Sequence, residues 1–387
     1  MVQPICPRHW HANPNLPDQP TASTPSADLF NDAGARARYW LPEPPGANLP
    51  ELQTFWSRLS SGITEYRRAA VRNGPRNDRL FLANPLAGPV RFDDWARLNG
   101  TGRQSRSPNW SGTTIRAVDG SVLTQVVGAW QEPDVARSGS FQVSQEFRSS
   151  VWIGFNGHAA YYDSALPQIG TMQRIKHTKV AGWKTSHWVW FEWWANTKAV
   201  DIATNLLPIY LKLDVQPGDA VLCSVELIPG DSIRDHGCTY PFVARMCVCV
   251  EHIDTTVNPS VQKKMLVTPF IVFPPKVDGY QVRTLGSTAN WIAECPFNVD
   301  RDNPFLMPQF VSSNLALNPL SFGHCVAAVA PDLGEPILSE KALGVSRRIN
   351  MFSRQLDAAD GLTKIATTQP AGPGNSTFDI EVSGNQM

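Results

Sequence analysis

From about residue 106 onward, this chain repeatedly places an apolar side chain at every second position and closes each such run with Gly, Pro, Asn or Asp. A two-residue period puts alternate side chains on opposite faces of an extended strand, so the pattern calls for sheets and disfavours a helical bundle. Leu211, Leu213 and Val215 alternate with Lys212 and Asp214, a QPGD turn follows, and Val221, Cys223, Val225 and Leu227 continue the alternation. That spacing predicts an antiparallel hairpin. Similar runs occur at 121–130, 149–155, 187–194, 242–250, 265–273 and 287–294, and a final strand is expected at 377–382. Ile349, Phe352 and Leu356 are instead helix-spaced. Many short strands without a long helix predict an all-β fold, an antiparallel two-sheet β-sandwich. Thirteen tryptophans suit it, since large rings fill the space between sheets and line grooves.

The first 105 residues read differently. Residues 1–48 are dense in Pro, Asn, Ser and Ala and are expected to be mostly irregular. Leu52, Phe55, Leu59, Ile63, Tyr66 and Ala70 then recur at steps of three and four, with Pro50 opening and Asn73, Gly74 and Pro75 closing, which predicts an amphipathic helix over about 50–72. Every basic side chain up to residue 105 is arginine, and a boundary is expected near 100–106. The chain thus divides into an N-terminal extension, 1–105, and a β-sandwich domain, 106–387.

Lysine and arginine (34) balance aspartate and glutamate (34), so net charge draws the chain to neither nucleic acid nor an anionic membrane. No apolar run reaches the roughly 18 to 20 residues of a spanning helix, and the N-terminus lacks the basic, apolar, small-residue order of a secretion signal. Seven cysteines, an odd number, form no disulfide framework. His236, Cys238, Cys247, Cys249 and His252 cluster in sequence, but Cys247 and Cys249 sit two apart in a strand-like MCVCV, which favours buried thiols over zinc. No metal or cofactor is expected. The NWS (109–111) and NST (375–377) triplets match glycosylation acceptors.

Two polar side chains stand out inside aromatic, strand-like segments: Gln168 and Glu294. By alternation Glu294 shares its face with Ile292 and Asn290, while Trp291 and Ala293 point the other way. A carboxylate among apolar neighbours rises in pKa unless donors favour its charged form, so a donor is expected nearby. Gln168 offers both an NH2 and a carbonyl.

NWSG (109–112), VWIGFNG (151–157), LPQIG (166–170), VWFEWW (189–194) and ANWIAE (289–294) follow one another in an order and spacing that resembles the glutamic peptidases, or eqolisins. The resemblance covers most of residues 106–330. It implies a concanavalin- or lectin-like β-sandwich whose groove carries a catalytic dyad, with Gln168 on the family's glutamine and Glu294 on its glutamate. Glu294 would take a proton from the attacking water and return one to the leaving amine, and Gln168 would orient that water and hold the oxyanion. Trp110, Trp152, Asn156, Glu192 and Trp194 carry over as substrate-binding residues of the groove. Where the family has an acidic residue after WVGI, this chain has Asn156, and Trp194 replaces the last aromatic of YEWY. Members are typically secreted and act in acid, on protein or peptide substrates; here a mildly acidic optimum is expected, because 34 basic residues stay charged when the carboxylates titrate. A monomer is expected. The arginine-rich extension would serve as a prosegment over the groove or as a helical appendage packed on the sandwich.

Two other readings stay open. Tryptophan stripes in a β-sandwich also stack on sugars, which fits carbohydrate binding, although the paired carboxylates of a retaining glycosidase are missing. The Asn156 substitution fits a peptidase-like protein whose activity has lapsed.

Overall fold

The computed structural model describes residues 10–12, 26–72, 80–81, 104–107, 109–117, 121–137, 146–156, 165–195, 208–230, 242–253, 262–274, 284, 286–298, 303–312, 318–331, 339–342, 346–356, 362–369 and 376–384. The all-β expectation holds: among the described residues strands dominate, and the helices lie before residue 61. The hydrogen-bonded ladders, however, join nineteen strands into one continuous network rather than two separate sheets. One half of that network runs Ile209–Leu211, Gly182–Ala195, Ala165–Thr178, Glu146–Phe155, Thr288–Glu294, Trp110–Arg116. From Trp110–Arg116 it continues through Arg347–Leu356, Leu362–Thr368 and Phe378–Val382 to Leu320–Ala330. The second half follows as Val122–Gln131, Ala220–Pro229, Phe242–Ile253, Gln262–Val272.

Odd-numbered side chains of the first half meet the second half. Trp291 Nε1 donates to the Val127 carbonyl at 2.7 Å, Trp130 Nε1 donates to Thr171 Oγ1 at 3.2 Å, and the rings of Phe191 and Phe270 lie 4.8 Å apart. These indoles are wholly or almost wholly buried, and each spends its polar edge on a hydrogen bond across the core. The even-numbered side chains of the first half are left for the opposite face.

Several local expectations change. The helix occupies Pro50–Ser60 and stops there, because Gly62 adopts a left-handed φ of 65° and the β-branched Ile63 and Thr64 follow. The apolar residues that prolonged the helical spacing lie on or beside two short strands, Glu65–Arg67 and Val71–Arg72. Glu65–Arg67 pairs in parallel with Met265–Val267, and Val71–Arg72 pairs with Tyr210–Leu211. Within residues 1–48, expected to be mostly irregular, two short helices form at Ser26–Asn31 and Ala33–Tyr39, the second capped by Asp32 Oδ1, which accepts from Ala35 N at 2.5 Å. The QPGD turn forms, with Gln216 N donating to Asp219 Oδ2 at 2.8 Å, but it closes no hairpin. Its flanks belong to different halves of the network, so alternation alone identified the runs but not their partners. Residues 347–356 are a strand despite their helical spacing, and the last strand is found at Phe378–Val382.

The three helices cover the outer side of the second half. Leu52, Phe55 and Leu59 pack with Leu222, Cys247, Cys249, Leu266, Val326 and Ala328. Burial pushes the Cys249 thiol up to about 12, so it is an inert apolar filler. Glu340 caps the Pro50–Ser60 helix, accepting from Leu52 N at 2.7 Å and Glu51 N at 3.2 Å. Glu251 joins helix to sheet through Arg58 at 2.9 Å and Lys264 at 2.8 Å. Among the described residues, no helix is long and apolar enough to cross a membrane.

Candidate active site

Residues directly opposite each other in neighbouring strands point to the same face. Three successive rows on the even-numbered face therefore define the site. The first is Glu192, Gln168, Gly154 and Asn290; the second is Trp190, Gly170, Trp152 and Ile292; the third is Trp188, Met172, Ser150, Glu294 and Trp110. Gln168 and Glu294 thus share a face, on strands separated by one other strand and two rows apart. Gly154 of WIGFNG and Gly170 of LPQIG are steric necessities. A Cβ on Gly154 would lie 2.9 Å from Gln168 Cβ, and one on Gly170 would lie 2.6 Å from Trp152 Cβ.

Each acidic group has its own partners. Gln168 Nε2 donates to Glu192 Oε2 at 3.0 Å. Glu294 accepts from Asn109 Nδ2 at 3.0 Å and from Trp152 Nε1 at 2.8 Å. Trp110 stands edge-on to Trp152, ring centroids 5.1 Å apart. The donor that the sequence required near Glu294 is therefore present, but it is the asparagine and tryptophan pair rather than Gln168.

Gln168 and Glu294 are fully buried, and Glu192 is 2% exposed. Desolvation pushes the Glu294 carboxyl well above the ordinary glutamate range, against the indoles of Trp110 and Trp152; the neighbouring charge of Glu192 adds to the rise, and Asn109 opposes it. Desolvation likewise pushes Glu192 well up, offset in part by the Gln168 amide. Two raised carboxyls that repel each other hold on to a proton far into the range where free glutamates have lost theirs.

The site also holds polar atoms with nothing to bond. Among the described residues, Gln168 Oε1, Glu192 Oε1 and the indole N–H groups of Trp190 and Trp194 are buried without partners. Glu192, Trp190 and Trp194 alternate along one strand, so all three share the face of Gln168. Buried polar atoms are nearly always satisfied in folded proteins, so a cluster of orphans marks a place built for something else.

Of the residues singled out in the sequence, Gln168, Glu192, Trp194, Trp152, Trp110 and Glu294 come together on this face. Asn156 is buried at its margin with both ends of its side chain bonded to neighbouring chain segments. Two contributors escaped sequence reasoning. Asn109 had been read as a glycosylation acceptor, although its place beside Trp110 was the signal; Trp190 shares the two-residue step of Glu192 and Trp194. His236 and Cys238 of the cysteine and histidine cluster lie outside the described residues.

Residues 108–232 match the model of the Peptidase A4 family, a span that takes in Trp110, Trp152, Gln168, Glu192 and Trp194. The chain is also 27% identical over 182 residues to aspergillopepsin-2 of Aspergillus niger, an alignment covering 43% of this chain and 57% of that protein. The chain thus spans little more than half the length of the curated relative it matches. The resemblance to the glutamic peptidases is borne out; four of the five motifs lie inside the matched span, and ANWIAE, with Glu294, lies beyond it.

Proposed function

We propose that this protein is an endopeptidase that hydrolyses peptide bonds with water activated between Glu294 and Gln168, under mildly acidic conditions. The observation that carries the reading is the orphaned set Gln168 Oε1, Glu192 Oε1, Trp190 Nε1 and Trp194 Nε1 on the face shared with Glu294. An extended peptide offers alternating N–H and C=O groups, the complement such a set needs. Both donors and acceptors are available to it.

In the proposed reaction ionised Glu294 accepts a proton from water as the water oxygen bonds to the scissile carbonyl carbon. The oxyanion takes a hydrogen bond from Gln168 Nε2, whose other hydrogen is committed to Glu192 and so fixes which way the amide points. Glu294 then passes its proton to the amide nitrogen as the C–N bond breaks, leaving a free carboxylate and amine. No acyl-enzyme forms. The raised Glu294 pKa places its base and acid forms close in energy above the range of a free glutamate, which suits a group that must take and return a proton. Because Gln168 and Glu294 are closed to solvent in this conformation, the site opens before a peptide enters.

The architecture that serves this reading is a β-sandwich made by rolling one continuous sheet, with the rows above lining its groove. Residues 26–60 are then a helical layer packed on the far side of the sandwich, a role supported by the apolar contacts of Leu52, Phe55 and Leu59 and by the Glu251 ion pairs.

The test is digestion of acid-denatured casein between about pH 3 and about pH 7, with fragments identified by mass spectrometry and hydroxylamine present in a parallel reaction. Internal cuts that leave free carboxylates in both reactions are expected. Hydroxamate-ended fragments, or no cuts at any pH, would overturn the proposal.

A further inference from the structure

We infer that Asn156 is a positioning residue for Gln168, and that because it is an amide rather than an acid, its own tie to the start of the Gln168 strand does not change as carboxylates titrate; the inference rests on the role proposed for Gln168. Asn156 immediately follows the Glu146–Phe155 strand at φ 59°, a left-handed conformation that asparagine tolerates better than most residues. Its backbone N–H donates to the Thr288 carbonyl at 2.9 Å, and Oδ1 accepts from both Ser287 N and Ser287 Oγ at 3.0 Å. Nδ2 donates to the Ala165 carbonyl at 3.1 Å. The Asn156 carbonyl in turn accepts from Asn290 Nδ2 at 2.7 Å.

One side chain therefore ties three segments: the end of the strand that holds Trp152, the start of the strand that ends in Glu294, and Ala165. Ala165 opens the strand of Gln168, three residues ahead of it. The tie needs a donor on one side and an acceptor on the other, which only an amide supplies at every pH. An ionised aspartate would turn an oxygen toward the Ala165 carbonyl, acceptor against acceptor, in a buried setting; only its protonated form has a hydrogen to give. The ionisable groups on the flanking strands include Glu192, Glu294, Arg116, Arg347, Arg174 and Glu146, and among the described residues none of them hydrogen-bonds the Asn156 side chain. The two glutamates share this face, so an added carboxylate would be pushed toward its neutral form still further.

The experiment compares wild type, Asn156→Asp and Asn156→Ala. The Gln168 side-chain amide signal, assigned in nitrogen-15 NMR spectra by its loss in Gln168→Ala, is followed from about pH 4 to about pH 7. In parallel, kcat and KM are measured on a peptide substrate over the same range. In Asn156→Asp the amide signal is expected to move as pH rises, with kcat falling on the order of tenfold to a hundredfold relative to wild type and KM little changed. Any movement of the wild-type signal is expected to follow Glu192, its hydrogen-bond acceptor, and the Asn156→Asp signal is read as its departure from wild type at each pH; in Asn156→Ala that departure is the same at all pH values. An Asn156→Asp signal that tracks wild type across the range would overturn the inference. Should the wild type cleave nothing, the proposed function fails, and the amide signal still decides whether Asn156 positions Gln168.

Discussion

Gln168 hydrogen-bonds Glu192 at 3.0 Å, while Glu294, on the same face, takes its hydrogens from Asn109 and Trp152. One amide therefore stands between two carboxyls that repel each other, and only one of them is bound to it. The partners divide accordingly: Glu192 holds the amide, and Glu294 is held at both oxygens by neutral donors that offset part of the rise burial imposes on its pKa.

Replacing Glu192 by Gln separates these roles. Loss of the neighbouring charge lowers the Glu294 pKa, so the acid limb of the kcat/KM profile is expected to move to lower pH. The maximal rate should fall by roughly tenfold, because a neutral amide oxygen at position 192 holds the Gln168 amide less firmly than the glutamate oxygen does. A pH profile with an unmoved acid limb would remove Glu192 from the electrostatics of the site.

Trp152→Phe has the opposite sign. It deletes the 2.8 Å hydrogen bond that favours ionised Glu294, so the carboxyl rises further and the acid limb shifts to higher pH. Steady-state kinetics across the acid range read the shift directly.

Stability carries the same signature. Burial raises Glu294 above its unfolded value of about 4.3, so its contribution is fully present below that pH and is lost as pH climbs through the folded value. Glu294→Gln should therefore melt above wild type near neutrality, the gap closing toward about pH 4. Glu251 behaves in reverse: although burial alone would raise it, Arg58 and Lys264 hold it below the usual range. Glu251→Gln should be less stable than wild type near neutrality and converge with it in strong acid. Calorimetric melting of the two variants across pH checks both signs.

The helical layer tests differently. Phe55 is 3% exposed against the outer side of the sheet, and Phe55→Ala is expected to cost about 3–5 kcal/mol. Denaturant unfolding measures it. A loss under about 1 kcal/mol, as for an exposed surface change, would mean that the layer is only loosely attached.

The strands were legible because alternation is local: each run reports its own two faces. Their partners were not, since Leu211 and Val221 lie on either side of a well-formed turn yet pair with unrelated strands. The helix end was hidden because Ile63, Tyr66 and Ala70 keep helical spacing past Gly62, where backbone geometry rather than side-chain pattern decides. Gln168 and Glu294 were visible as polar residues in apolar strands, and the structure puts them on one face. Their mutual register, two rows apart, depends on the 146–155 strand between them, and no spacing within either motif encodes it. Asn109 was missed for the same reason: its bond to Glu294 spans 185 residues.

The most direct test is the initial rate of hydrolysis of a soluble peptide by wild type, Glu294→Gln and Gln168→Ala, each first shown to melt cooperatively. The expected result is a rate lost by at least about a thousandfold in Glu294→Gln and by roughly a hundredfold to a thousandfold in Gln168→Ala. Cleavage by Glu294→Gln at the wild-type rate, or none by wild type at any pH between about 3 and about 7, would contradict it.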